Sequence, residues 1–103
     1  MSNEWIPVAM ARDLPEGGTL QTFCGEEVVC LYRVQGRVYA TQDACTHGAA
    51  SLSEGYIEGE QIECPFHQGL FHIPSGKAVG APCTIDLRVY EAKEEGDEVL
   101  LRA

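Results

Sequence analysis

Two short motifs constrain this 103-residue chain more than anything else in it: Cys45-Thr46-His47 and Cys64-Pro65-Phe66-His67, with sixteen residues between them. Two thiolates and two imidazoles make a four-ligand set of borderline softness, suited to zinc or to an iron–sulfur cluster. Order along the chain separates these options. Zinc modules of the finger kind tend to pair Cys with Cys and His with His, whereas each motif here supplies one of each. A dinuclear centre with two cysteines on one iron and two histidines on the other calls for this arrangement, because two loops approaching from either side then give one ligand to each iron. A lone Cys or His in a β domain is usually packing or surface; four in this order are hard to obtain by chance. The five cysteines are an odd number, which fits poorly with a fully paired disulfide framework. In a reducing compartment, cysteines this close to histidines more often bind metal or act in catalysis.

The rest of the chain reads as β almost throughout, and its length suits one domain. Trp5-Ile6-Pro7-Val8 is a short apolar run whose Pro7 points to an edge strand. Ala11 to Gly18 predicts a turn or one brief helical turn, and Thr19 to Phe23 a second strand. Val28-Val29-Cys30-Leu31-Tyr32-Arg33-Val34 is rich in β-branched and aromatic residues; Gln35-Gly36 closes it and Arg37 to Thr41 returns, giving a hairpin. Leu87-Arg88-Val89-Tyr90-Glu91 alternates as a half-exposed strand does, Glu94 to Asp97 turns, and Glu98 to Leu101 comes back. Between these β-rich ends lies a different region, roughly 43–82, holding six glycines and all three histidines. Within it Tyr56-Ile57-Glu58 and Gln61-Ile62-Glu63 flank Gly59-Glu60 as a hairpin with a two-residue Gly-X turn. This hairpin carries the chain away from one ligand pair and brings it back beside the same place with the second.

Sixteen acidic residues against seven basic ones leave a formal charge of −9. Such a chain is repelled by nucleic acid and by anionic membranes. No apolar run approaches the ~18 residues of a membrane span. The acidic, polar start from Met1 to Trp5 does not read as a signal peptide, so a cytoplasmic location is expected. Between Arg37 and Lys77 there is no Lys or Arg, while Asp43, Glu54, Glu58, Glu60 and Glu63 lie there. That stretch is either an ordinary solvated loop region or an acidic docking face beside the candidate metal ligands.

The intact C-x-H…C-x-x-H pattern resembles the Rieske ferredoxins of bacterial aromatic ring-hydroxylating dioxygenase systems, and the likeness extends over essentially the whole chain. Gly48 behind the first pair, Gly69 and Phe71 behind the second, the Ser75-Gly76-Lys77 turn and Pro82 are also similar. The resemblance implies an all-β Rieske fold: an antiparallel β-sandwich base, residues 1–42 and 84–103, with a small cluster-binding subdomain inserted at about 43–83. It implies one [2Fe–2S] cluster per chain, with Cys45 and Cys64 on the buried iron and His47 and His67 on the outer iron, and the segment ending at Pro82 folded over it. With two neutral and two thiolate ligands the oxidised cluster is neutral, and an electron is easier to add than with four thiolates. High-potential members of the wider family carry an extra cysteine in each loop, joined as a disulfide; Ala50 and Phe66 stand there. They also carry a Ser and a Tyr that hydrogen-bond sulfur, where Gly69 and Phe71 offer no side-chain donor. The low end of the Rieske range, on the order of −150 mV, is therefore expected.

Other residues invite no special role. Cys24, Cys30 and Cys83 read as small buried hydrophobes, His72 as a surface histidine, Trp5 as packing, and Phe66 and Leu70 as either core or a partner-facing patch. A ring-hydroxylating active site needs two His and one carboxylate on a mononuclear iron. With His47 and His67 committed, only His72 is left, so the chain is not expected to be an enzyme. There is no G-x-G-x-x-G after a strand for a reductase. What remains is one-electron carriage, with, by resemblance, an NAD(P)H-dependent flavoprotein reductase upstream and a terminal Rieske non-haem iron oxygenase downstream. A monomer is expected of a shuttle that offers one face to two partners. A redox-silent zinc module and a subunit serving another enzyme, such as a nitrite reductase, are the rival readings.

Overall fold

The computed structural model describes residues 4–46, 48–65 and 68–102. Among these, the strands are β1 (Ile6–Met10), β2 (Thr19–Cys24), β3 (Glu27–Val34), β4 (Arg37–Gln42), β5 (Tyr56–Glu58), β6 (Gln61–Glu63), β7 (Leu70–His72), β8 (Ala78–Gly80), β9 (Val89–Glu95) and β10 (Glu98–Arg102). Single 3₁₀ turns occupy Ala11–Asp13 and Leu52–Glu54. The strands form two antiparallel sheets, one in the order β1-β10-β9-β4-β3-β2 and one in the order β5-β6-β7-β8. The larger sheet curls until its edges approach, and Thr22 Oγ1 on β2 donates to the Val8 carbonyl on β1 at 2.6 Å.

Strand β3 organises both cores. Successive strand residues point to opposite faces, and here both faces are buried. Val29 and Leu31 enter a cluster with Leu14, Ala40, Tyr90, Val99 and Leu101 inside the curled sheet. Cys30, Tyr32 and Val34 face the other way, into a cluster with Leu52, Ile62, Phe71, Ile73 and Leu87 that also contains Cys45, Cys64 and Cys83. The unbroken run of apolar residues from Val28 to Tyr32, rather than a strict alternation, is what a strand covered on both faces requires. The Tyr32 hydroxyl and Thr41 Oγ1 satisfy each other at 2.7 Å, so this polar pair is buried without an orphan.

Most expected elements are present, with three differences. Val89–Glu95 begins two residues after the expected Leu87. Leu87 is buried and gives its N–H to the Gly76 carbonyl, and Arg88 gives its N–H to Gln42 Oε1 while its carbonyl accepts the Gln42 N–H, so neither residue's N–H enters the ladder there. The strand then runs on to Glu95, because pairing with β10 continues through Glu95 opposite Glu98 and leaves only Gly96 and Asp97 to turn. Strands β7 and β8, three residues each, are too short to show a period in the sequence. The β5–β6 hairpin has the expected boundaries, and Gly59 takes the positive φ of 61° that its turn demands. Pro7 lies on the edge strand β1, at a register shift against β10.

Replacing Leu31, fully buried on β3, by Ala should cost about 2–5 kcal/mol. Phe23→Ala, at a side chain 60% exposed on β2, should stay within about 0.5 kcal/mol. Urea denaturation followed by far-UV circular dichroism would separate the two.

Candidate metal centre

The two motif cysteines open loops built in the same way. Cys45 donates its backbone N–H to the Ala50 carbonyl at 2.9 Å, and Cys64 donates its own to the Gly69 carbonyl at 2.8 Å. Each bond ties a cysteine to the residue five positions on, so the two cysteines are held in the same way. The first loop follows β4 and the second joins β6 to β7. Tertiary packing brings the two Sγ atoms to 3.1 Å, both residues being buried. His47, Phe66 and His67 lie outside the described residues.

A buried pair of sulfurs, one from each loop, fits two thiolate ligands on one metal ion. Water cannot reach the pair, which suits an electron-transfer centre that must not exchange its ligands. The donor set accordingly fits the cysteine side of a dinuclear iron–sulfur centre.

Asp43 anchors the first loop and was misread from the sequence as one of a run of surface acids. It is 3% exposed. Its carboxylate accepts from Ser51 Oγ, from Gln21 Nε2 at 2.9 Å and from the Ser53 N–H at 3.0 Å, while its carbonyl accepts the Leu52 N–H at 2.8 Å. Burial would raise this carboxyl's pKa, but the hydrogen bonds from Ser51, Gln21 and Ser53 outweigh it and hold the pKa below its ordinary value. Glu54, Glu58 and Glu60 are exposed and Glu63 half-buried, so the surface charge of this region comes from those residues. Thr46, between the two candidate ligands of the first motif, donates its hydroxyl to the Ile85 carbonyl at 2.6 Å and fastens that loop to the segment after Pro82. Neither anchor is legible in the sequence, since each depends on a partner 39 or at most 22 positions away.

The cysteines outside the motif part company. Cys30 is wholly buried on β3, and burial, the largest influence, pushes its thiol up to about 12. Cys24 is half-buried against the other core. Cys83 is buried in the same core as the motif cysteines; burial first, then the neighbouring sulfurs, push its thiol up to about 11. His72 is a surface residue, its Nδ1 2.7 Å from Ser75 Oγ and its Nε2 3.4 Å from Glu60. Trp5 is half-buried, with Lys93 and Arg102 each 4.5 Å from its ring centre. Leu70 is half-buried at the start of β7.

A model of the Rieske [2Fe-2S] domain matches residues 4–91. The chain belongs to that family. It is 43% identical over 102 residues, 99% of this chain and 98% of the other, to the ferredoxin component of the naphthalene 1,2-dioxygenase/salicylate 5-hydroxylase systems of a Ralstonia species. It superposes on a Sphingomonas yanoikuyae B1 ferredoxin with a TM-score of 0.90 at 32% identity, covering 97% of this chain and 99% of that one. A chain in a complex of reduced oxygenase and oxidised ferredoxin in carbazole 1,9a-dioxygenase gives a TM-score of 0.87 at 40% identity, covering 97% and 94%. The Rieske ferredoxin likeness and the all-β antiparallel architecture expected from the sequence are both borne out.

Asp43→Asn keeps the size of the anchor but turns one acceptor into a donor facing other donors. It should destabilise the protein by about 1–3 kcal/mol and speed loss of visible absorbance on dilution into urea. Glu58→Gln, on the exposed side of the same region, should leave both unchanged.

Proposed function

We infer that this Rieske protein is a one-electron carrier, the ferredoxin component of a bacterial aromatic ring-hydroxylating dioxygenase system, and not itself a catalyst. Its near full-length likeness to a ferredoxin component at 43% identity carries that reading. The cluster, one per chain, takes up and releases a single electron without bond changes in a substrate. Cys45 and Cys64 are proposed to hold its inner iron, which their burial and their 3.1 Å approach support. His47 and His67, the second member of each motif, are proposed to hold the outer iron. The chain's own part is mechanical: the closed loops, the Asp43 anchor and the Thr46–Ile85 bond keep the ligands in one arrangement, so that little rearranges when charge is added.

The partners are a terminal oxygenase, as in the solved oxygenase–ferredoxin complex of carbazole 1,9a-dioxygenase, and a reductase. We propose an NAD(P)H-dependent flavoprotein as that reductase. Glu54, Glu58 and Glu60 would steer the encounters, and Ile85, 64% exposed and tied to the first loop, would supply apolar contact. The division into a base and an inserted subdomain of about 43–83 draws support from the four-stranded sheet, which lies wholly within that segment. Among the described residues no helix is long and apolar enough to cross a membrane; we propose a monomer working in the cytoplasm, as a carrier offering one face to two partners in turn would be. The lack of a loop-bracing disulfide partner at Ala50 and the absence of a hydroxyl at Gly69 and Phe71 support a potential at the low end of the Rieske range.

Visible absorption and low-temperature electron paramagnetic resonance, before and after dithionite, test the assignment. A red-brown protein whose reduced spectrum has an average g well below the free-electron value is expected, and a colourless zinc protein would overturn it. His67→Cys, which exchanges a neutral ligand for an anionic one, should lower the midpoint potential in a cluster-loaded variant. The second-order rate of oxygenase reduction should fall as ionic strength rises; a salt-independent rate would remove the steering role.

A further inference from the structure

The inner face of the four-stranded sheet is taken up by the core: Ile62 and Phe71 are fully buried there, with Ile57 and Ala78 packed beside them. Alternation along each strand turns the neighbouring residues outward. Three registered pairs then set Tyr56 opposite Glu63, Glu63 opposite Leu70 and Leu70 opposite Gly80, one row across β5, β6, β7 and β8. With strands about 4.8 Å apart, the row runs about 14 Å. Tyr56 is 70% exposed, more than any other large apolar side chain among the described residues. Leu70 lies across bare backbone, since a Cβ on Gly80 would stand 2.9 Å from the Leu70 Cβ. The row also borders the second motif directly. Glu63 precedes Cys64, and Leu70 follows Gly69, whose carbonyl holds the Cys64 N–H. Behind Gly69 the space is closed: a Cβ there would stand 2.1 Å from Cys83 Sγ, so that buried thiol takes the room the glycine leaves.

Charge decides what can sit on the open side. The larger sheet matches acids with bases of its own: Glu27 with Arg88, Glu91 with Arg102, Glu94 with Arg33 and Glu95 with Lys93. Between Arg37 and Lys77 there is no Lys or Arg. Among the described residues the carboxylates of Glu54, Glu58 and Glu63 accordingly have no hydrogen-bond or ion-pair partner. An exposed phenol, an aliphatic side chain and an unpaired carboxylate in one row fit a surface that offers apolar side chains around a lysine or arginine. We propose that this outer face of the β5–β8 sheet is the docking surface for the terminal oxygenase, with Tyr56 and Leu70 as its apolar contacts and Glu63 as the partner of a basic side chain. The inference rests on the carrier reading above and deepens it, by assigning the contact to the side of the site that the second loop forms. The occupant is the oxygenase, the partner that a solved ferredoxin complex in the family holds.

The test mixes the full-length protein, reduced with stoichiometric dithionite, with purified terminal oxygenases of naphthalene and carbazole dioxygenase systems in a stopped-flow instrument. The oxygenase that wild type reduces is then used for the variants. Tyr56→Ala and Glu63→Gln should each slow the second-order rate about threefold to tenfold, with iron content and the reduced paramagnetic spectrum as in wild type. Tyr56→Phe, which keeps the ring, should keep the wild-type rate. Glu63→Gln should also flatten the fall of the rate with ionic strength, and Tyr56→Ala should not. Phe23→Ala and Glu26→Gln make equivalent losses at exposed positions of the larger sheet and its β2–β3 turn, and should leave the rate unchanged. Cluster-loaded Tyr56→Ala and Glu63→Gln with the wild-type rate overturn the proposal. So do variants slowed only in accepting electrons from the flavoprotein reductase, which would give the face to that partner instead. Wild type that reduces neither oxygenase would sink the dioxygenase-carrier reading itself, so the two failures are distinguishable.

Discussion

Everything about this protein's site depends on holding two thiol sulfurs side by side in a dry place, using loops that have little regular structure of their own. The solution is backbone closure. Cys45 and Cys64 each spend their N–H on the carbonyl five residues ahead, which fixes the backbone from which each sulfur projects.

The closed loops need a foundation, and β3 provides it by being buried on both faces. One face completes the core of the curled sheet; the other, through Cys30, Tyr32 and Val34, supports the core that contains the site's sulfurs. Asp43 then joins the two regions. Placed just after β4, it reaches Gln21 on β2 and Ser51 and Ser53 beyond the first loop. A buried carboxylate is stable here because its oxygens find donors enough to replace water. The acidic surface and the acidic anchor are thus different residues with different work, although composition alone presents them as one stretch.

Recognition of the family and the β architecture were legible in the chain because both rest on local signals. The C-x-H…C-x-x-H spacing, the hairpin turn at Gly59-Glu60 and the continuous apolar run of β3 are readable within windows of a few residues. Strands β7 and β8 were not, being too short for alternation to be distinguished from chance. Cys83 could be read only as a small buried hydrophobe. It is buried, but what matters about it is its neighbour, and no spacing rule connects position 83 to position 69.

The sequence by itself thus determined the kind of chemistry: two soft and two borderline donors in alternating order. Tertiary structure alone decided which further residues hold and enclose the site. Asp43 turned inward, Thr46 met Ile85, and the thiol of Cys83 took the space that Gly69 leaves empty. The physical reason is one of range. Ligand identity is a property of side chains a few positions apart, whereas hydrogen bonding to a ligand and exclusion of water depend on contacts that exist only after distant segments have packed.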